Sequence, residues 1–305
     1  MGIFIGILRI VGIICIIYLI LIMPRMTGRP DRTVYTQVLY AHRGLHDNDS
    51  DHPENSMAAF KRAVDAGYGI ELDVQLTKDK VPVIFHDFTL ERIARYDSDC
   101  VPEGVAPDSK GGYPVRGCVD DYTYDELMHF HLLTSNERIP RFEDFLKLVD
   151  GKVPLVVEFK VRTSNVSTRP EVCVLAWEYL KDYKGVYCIE SFHPFALLWF
   201  RRHHGRVFRG QLSEEFYRDN PGLFKSPVYF VLAMLMFNFL TAPDFIAYNH
   251  QHAGNLSRVL CHRLYRSTAA AWTIKSEEAL AEAKKHFDLF IFDSFVPAQG
   301  PQAVN

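Results

Sequence analysis

In the stretch GIELDVQ, residues 69–75, period-two alternation puts Glu71 and Asp73 on one face and Ile70, Leu72 and Val74 on the other. Two carboxylates aimed into one space repel each other unless one is protonated, paired or bridged by a cation. The stretch PLVVEFKV, residues 154–161, repeats the device with Glu158 and Lys160 on a shared face. Three such carboxylates suit a hard divalent cation, Mg2+ or Ca2+, better than a soft metal. His42 and His86 each close an apolar run, and of two imidazoles one can act as base while the other acts as acid. Arg43 offers a planar fork for phosphate oxygens, and Lys160 a point charge beside the metal. A cation, Arg, Lys and two His together suit phosphoryl chemistry, stabilising charge on a pentacovalent phosphate and protonating a leaving alcohol. Any one of these acids alone reads equally well as a salt-bridged group, and a lone His as a structural one. Their recurrence at the ends of apolar strands favours a site.

Such groups need a scaffold that brings several strand ends together. Strand-like runs occupy residues 38–41, 69–74, 81–85, 155–161, 186–191, 207–212, 245–248, 269–273 and 289–292. Helical patterns lie between most of them, at 56–66, 141–148, 171–180 and 277–286. Over 56–66, Phe60, Ala63 and Val64 share a face, Asn55 or Ser56 can cap the start, and Gly67 can end it. Repeated β-then-α order predicts a parallel sheet covered by helices. A (β/α)8 barrel needs eight strands where nine candidates are found, and residues 245–248 are the expected extra. A doubly wound open sheet is the alternative, since both folds place sites at strand C-terminal ends. The Asp-, Gly- and Pro-rich residues 96–122 are too long for an ordinary connection and predict an active-site loop or small insert.

The composition, 48% hydrophobic and 23% charged, predicts a large packed core, and a net charge of -3 gives no basic footprint for nucleic acid. No nucleic-acid partner is therefore expected. Residues 3–23 are apolar apart from Arg9, long enough to cross a bilayer, and no small-residue cleavage site follows them. An uncleaved transmembrane anchor is the expectation, with a secretory signal peptide as the rival. Arg25, Arg29 and Arg32 follow the segment and place the main domain in the cytoplasm by the positive-inside rule. Cys15 lies in the segment, and Cys100, Cys118, Cys173, Cys188 and Cys261 are scattered through the body in no disulfide framework. A second apolar run, 228–240, is too short to span comfortably and reads as a buried helix or a membrane-surface helix near the anchor.

The order of motifs resembles the glycerophosphodiester phosphodiesterase family, as a membrane-anchored, bacterial-type member. It runs through His42-Arg43-Gly44, Pro53-Glu54-Asn55-Ser56, Glu71-x-Asp73, Thr77-x-Asp79, His86-Asp87 and Leu90-x-Arg92. Later landmarks are Ile139-Pro140, Glu158-x-Lys160, Ser191-Phe192, Trp272-Thr273 and Asp293, so the resemblance covers nearly all of the chain after residue 37. It implies a TIM (β/α)8 barrel with a small insert after the third strand, preceded by one N-terminal transmembrane helix. The implied organisation is an anchor at 1–24, a linker at 25–37 and the barrel at 38–300. The implied activity is metal-dependent hydrolysis of glycerophosphodiesters to sn-glycerol 3-phosphate and an alcohol. Glu71, Asp73 and Glu158 would bind the metal, His42 and His86 form the acid/base pair, and Arg43 and Lys160 hold phosphate. In the family a glycerol hydroxyl can act as internal nucleophile, giving a cyclic phosphate that water opens. Glu54 stands to orient a ligand or the metal's surroundings, and Trp272 to pack on the glycerol moiety or in the core. Lys80, Phe292 and the lack of Thr after Arg92 depart from the family pattern and bear on fine substrate preference. A lysophospholipase D acting on lysophospholipid and a non-catalytic head-group binder are the alternatives.

Overall fold

The computed structural model describes residues 1–162, 167–219, 221–222 and 226–303, so the expected barrel range contains a few positions outside the described residues. The first strands are β1 (Leu39–His42), β2 (Gly69–Leu76), β3 (Pro82–Ile84), β4 (Ala94–Tyr96) and β5 (Phe130–Leu132). After them come β6 (Leu155–Phe159), β7 (Tyr187–Ser191), β8 (Arg209–Ser213), β9 (Phe245–Asn249), β10 (Thr268–Ile274) and β11 (Leu289–Phe292). The helices begin with α1 (Gly2–Leu21), α2 (Thr33–Thr36), α3 (Met57–Ala66), α4 (Tyr124–Leu127), α5 (Phe142–Val149) and α6 (Glu171–Leu180). They continue with α7 (Pro194–His203), α8 (Phe216–Asp219), α9 (Pro227–Ala233), α10 (Asn238–Thr241), α11 (Leu256–Arg263) and α12 (Glu277–Ala283).

Eight parallel strands close into a barrel in the order β1-β11-β10-β9-β8-β7-β6-β2, and β2 pairs back onto β1. The fold is a TIM barrel. Residues 245–248, expected to be the extra, are a barrel strand, paired in parallel with β8 and β10. The extra is β3, which returns antiparallel onto β2 with Val74 opposite Ile84. The reason is chain length. Only residues 77–81 join the two strands, enough for a hairpin and far short of the dozen or more that a parallel crossover requires. Beyond β3 the insert forms a two-stranded sheet of β4 and β5 over its own apolar cluster, which includes Leu90, Ile93, Val115, Leu127 and Phe130.

Local chemistry sets the element ends. At α3, Ser56 Oγ accepts from the Ala59 amide at 3.1 Å, and Gly67 stops the helix in the left-handed region at φ 77°. Inside the barrel, Tyr40, Val156, Cys188, Phe245 and Ile291 pack as one cluster. Gly210 is required there, because a Cβ on it would lie 2.1 Å from the Phe245 ring. Tyr35 closes the N-terminal end of the barrel. Its ring stacks on Phe208 at 4.4 Å and its hydroxyl donates to the Tyr187 carbonyl at 3.1 Å.

Among the described residues α1 is the one helix long and apolar enough to cross a membrane, by length and composition. None of its residues is buried, yet Ile22 just after it is fully buried. The arginines that follow are used by the fold. Arg25 pairs with Asp244 at 3.2 Å, and Arg29 donates to the carbonyls of Arg25, Tyr265 and Arg266. The run 228–240 is split into α9 and α10, with Leu235 at φ 54° between them. Ala233, Leu235 and Asn238 are buried while Val228 and Phe230 are exposed.

Candidate functional site

Strand register assembles the site. In parallel pairs His42 lies opposite Glu71, Asp73 opposite Glu158, and Glu158 opposite Glu190. Oxygens of Glu71, Asp73 and Glu158 all come within 4.8 Å of one another, and all three residues are buried. Burial, followed by repulsion from Asp73 and Glu158, pushes the Glu71 carboxyl well above its ordinary range. Burial works against charge on Asp73 too, but His86, Lys160 and Arg43 outweigh it and hold that carboxyl well below the usual range. Glu158 is raised, by burial first, although Lys160 Nζ lies 2.9 Å from its carboxylate. Lys160 itself is buried, and the attraction of Glu158 and Asp73 overcomes that burial and takes it up to about 12.

The arrangement fits a hard divalent cation on its own evidence. Asp73 Oδ1 is buried and accepts no hydrogen bond among the described residues, while its Oδ2 is held by Asn55 Nδ2 at 3.0 Å. A cluster of buried acids in which one oxygen accepts no hydrogen bond among the described residues and has the Lys160 ammonium at 3.5 Å, and one member is forced toward its neutral form, is what a bound cation would relieve. The donors are oxygens throughout, the set that Mg2+ and Ca2+ prefer.

His42 ends β1 and faces this cluster, with Nε2 3.8 Å from Glu71 Oε2. Its Nδ1 meets Asp293 Oδ2 at 2.9 Å, and the other Asp293 oxygen lies 3.2 Å from His46 Nε2. Burial, reinforced by the Arg43 charge, brings the His42 imidazole down to about 4 despite Asp293. The ring is therefore neutral near pH 7, and its contact with Asp293 assigns the proton to Nδ1. His86 stands just past β3, with Nδ1 2.5 Å from Asp87 Oδ1. Gln75 fixes that strand end by donating to the carbonyls of Phe85, His86 and Asp87 at 2.7, 3.2 and 2.7 Å.

Arg43 follows His42 in the left-handed region at φ 57°, which turns its side chain back over the barrel mouth. Gly44 lets that turn press against α3, since a Cβ on it would lie 2.9 Å from the Ala59 carbonyl carbon. Arg43 donates to Glu54 at 2.8 Å, and its buried Nε has no hydrogen-bond acceptor among the described residues. Both oxygens of Glu54 are occupied. Arg92 grips them with two bonds of 2.7 Å, and Asn48 adds a third at 2.9 Å. Glu54 thus spends both oxygens on Arg43, Arg92 and Asn48. Trp272 stands at the end of β10, edge-on to Phe192 at 5.6 Å, with Nε1 unpartnered among the described residues.

Four groups beside these escape a reading of the sequence by type and spacing. Asp293 orients His42, Asp87 partners His86, Arg92 clamps Glu54, and Asn55 holds Asp73 at a φ of 56°. All four fall inside motifs of the resemblance, which marks their positions without giving their contacts. Glu190 is a fifth. It is 2% exposed, and burial beside Glu158 and Asp73 raises its carboxyl well above the usual range.

Sequence and fold comparisons agree with this geometry. The model of the glycerophosphoryl diester phosphodiesterase family matches residues 42–285. A glycerophosphodiester phosphodiesterase of Bacillus altitudinis is 34% identical over 133 residues, which are 41% of this chain and 45% of that protein. Another, from Caldanaerobacter subterraneus, is 32% identical over 170 residues, 52% of this chain and 60% of the relative. The chain thus spans about half the length of these curated relatives. In fold it is similar to an Oleispira antarctica phosphodiesterase solved in complex with its product sn-glycerol-3-phosphate, at TM-score 0.61 and 20% identity over 84% of this chain and 92% of that one. A glycerophosphodiester phosphodiesterase from Thermotoga maritima gives TM-score 0.56 and 23% identity over 84% and 94%. With a family match that runs from residue 42, the end of β1, to residue 285, past α12, the chain belongs to the glycerophosphoryl diester phosphodiesterase family.

Proposed function

We propose that this protein hydrolyses glycerophosphodiesters to sn-glycerol 3-phosphate and an alcohol. The observation that carries the reading is the packing of three buried carboxylates beside a neutral, Asp-oriented His42 at one end of the barrel. Glu71, Asp73 and Glu158 would hold Mg2+ or Ca2+, which when bound polarises a phosphoryl oxygen. His42, with its proton on Nδ1, has an Nε2 lone pair turned toward the site and accepts the proton of the attacking hydroxyl, as general base. That hydroxyl belongs to the substrate glycerol in the internal route, or to water in the direct one. Asp87 is held charged below its usual range, with burial opposed first by the His86 contact and then by Arg92. Beside it His86, whose Nδ1 is held by Asp87 at 2.5 Å, stands as the general acid that protonates the leaving alcohol. The Arg43 guanidinium, whose Nε has no hydrogen-bond acceptor among the described residues, and the Lys160 ammonium neutralise the phosphoryl oxygens. A binder without turnover has no use for an acid/base pair of imidazoles, each held by its own aspartate.

The test is release of sn-glycerol 3-phosphate from glycerophosphocholine by the full chain, with Mg2+ or Ca2+ added and with EDTA. Removing the general base by His42→Ala should lower kcat by about 10²–10⁴-fold. Metal-independent turnover, or full activity in His42→Ala, would sink the reading. Turnover of lysophosphatidylcholine but not glycerophosphocholine would replace it with a lysophospholipase D, for which the exposed apolar residues of α9 are the supporting observation.

A further inference from the structure

The last turn of α1 is built into the barrel. The Tyr18 hydroxyl meets Ser257 Oγ at 2.6 Å, and Tyr265 donates to the Leu19 carbonyl at 2.8 Å. The Ile22 carbonyl accepts from Asn238 Nδ2 at 3.0 Å and from the Cys261 thiol at 3.3 Å. Asn238 and Ser257 are fully buried and Arg25 is paired to the buried Asp244. Cleavage just after α1 would strip Tyr18 from the buried Ser257 and the Leu19 carbonyl from Tyr265, and cleavage beyond Ile22 would strip the partner from Asn238 as well, at a cost that a retained helix avoids. The contacts describe a segment that stays.

They also fix its direction. Tyr18 meets Ser257, and four residues on in each segment Ile22 meets Cys261. The two helices therefore run side by side in the same sense. α11 starts just after the C-terminal end of β9 and leads down to the start of β10, so its first residues lie at the catalytic end of the barrel. Residues 2–17 of α1 then project beyond that end by about 24 Å. This stretch is exposed except for a half-buried Gly6. It holds a run of Ile, Leu, Val and Phe against the single charge of Arg9, and long basic side chains reach back to the headgroups.

Further apolar surface lies at the same end. Leu256, the first residue of α11, and Val228 near the start of α9 are each 56% exposed, and Phe230 is 48% exposed. From α9 a file of rings leads to the barrel mouth. Tyr229 touches Phe216 at 5.5 Å, Phe216 touches Phe192 at 5.8 Å, and Phe192 touches Trp272 at 5.6 Å.

We propose that the catalytic end of the barrel docks on a lipid bilayer, with α1 inserted alongside, so that the active-site mouth opens onto the membrane surface. The occupant is the bilayer because α1 and the exposed residues of α9 and α11 meet it on one side, continuous with the helix that enters it. In this orientation the ring file from Tyr229 to Trp272 gives the apolar part of a membrane-borne diester a way to lie while its phosphate reaches His42. That last consequence rests on the function proposed above, whereas the orientation does not.

The experiment is depth-dependent fluorescence quenching with the full chain reconstituted in phosphatidylcholine vesicles carrying nitroxide-labelled lipid. Cys15, Cys100 and the partly exposed Cys118 are exchanged for Ser, and a fluorophore is placed singly at Val228→Cys, Leu256→Cys or, as control, Lys152→Cys. Lys152 is exposed just ahead of β6, at the N-terminal end of the barrel. Loss of fluorescence at positions 228 and 256, with none at 152, is the expected result. Quenching at 152 alone, at all three, or at none overturns the proposal. Release of glycerol phosphate in the same vesicles is read separately. Quenching without turnover leaves the orientation standing and removes only the enzymatic reading.

Discussion

The two ends of the barrel are built on opposite plans. At the C-terminal end, buried carboxylates face one another, Asp73 Oδ1 and Arg43 Nε lack hydrogen bonds among the described residues, and Arg43 and Asn55 both take left-handed backbone. At the N-terminal end, Tyr35 stacks on Phe208, its hydroxyl and carbonyl are both bonded, and Arg25 neutralises Asp244. One end gathers like charges at its mouth where a ligand can reach them, and the other closes over stacked rings with its buried carboxylate, Asp244, set against Arg25. Stability and chemistry are thus separated along one axis. Substitutions at the two ends should separate them too.

The largest effect should come from Asp293→Asn. Asp293 stands outside the acidic trio, but it assigns the His42 proton to Nδ1 through a 2.9 Å contact. An amide in its place can donate to Nδ1 and move the proton to Nε2, which disables the base. The expected loss is about 10²-fold in kcat, at the low end for a general base because the residual tautomer still functions. KM and thermal stability should change little. A large fall in Tm with unchanged kcat in the surviving protein would place Asp293 with the supporting contacts instead.

Next comes Glu54→Gln, which couples the catalytic end to acid. Burial would raise the Glu54 carboxyl, but the Arg92 hydrogen bonds and the Arg43 charge bring it from 4.5 down to about 2. A carboxyl depressed on folding stabilises the protein fully above its unfolded value, and that stability is lost as pH falls from about 4.5 through about 2. The linked stability is on the order of 3 kcal/mol. Glu54→Gln should therefore be less stable near pH 7, with Arg43 and Arg92 left facing each other, and should show a flatter decline on acidification. Urea unfolding at pH 7, 4.5 and 3 measures both, and parallel declines in the two proteins would remove Glu54 from the account.

What could be read in the sequence follows from range. Period-two alternation is a local rule, so Glu71 and Asp73 could be set on one face from a handful of residues, and Ser56 and Gly67 could bound α3. Register is not local. That Asp73 lies opposite Glu158, or that Asp293 reaches back across more than two hundred residues to His42, depends on how the barrel closes. The mistaken exclusion of residues 245–248 has another origin, since β9 and β3 look alike as short apolar runs and the telling difference, the five-residue link 77–81 before β3, lies outside both runs. Arg25 and Arg29 show the converse. As sequence they count toward membrane topology, but in the structure they tie the segment after α1 to Asp244 and to the carbonyls of Tyr265 and Arg266. Their positions are explained by folding, which leaves less for an inside-or-outside rule to explain.

The smallest effect tests the quiet end. Tyr35 is half-buried, stacks on Phe208 at an interplanar angle of 7°, and donates to the Tyr187 carbonyl at 3.1 Å. Removing it opens the N-terminal mouth of the barrel to water and leaves that carbonyl without its side-chain donor. Tyr35→Ala should cost about 2–3 kcal/mol, below the range for a fully buried aromatic because part of the ring is already wet. Tyr35→Phe keeps the stack and should cost only about 1 kcal/mol for the lost hydrogen bond. Neither change touches the acidic cluster or the imidazoles, so kcat measured below the melting range should stay at the unmodified value. If Tyr35→Ala lowered kcat in step with its stability, the two ends of the barrel would be mechanically coupled and the separation argued for here would fail.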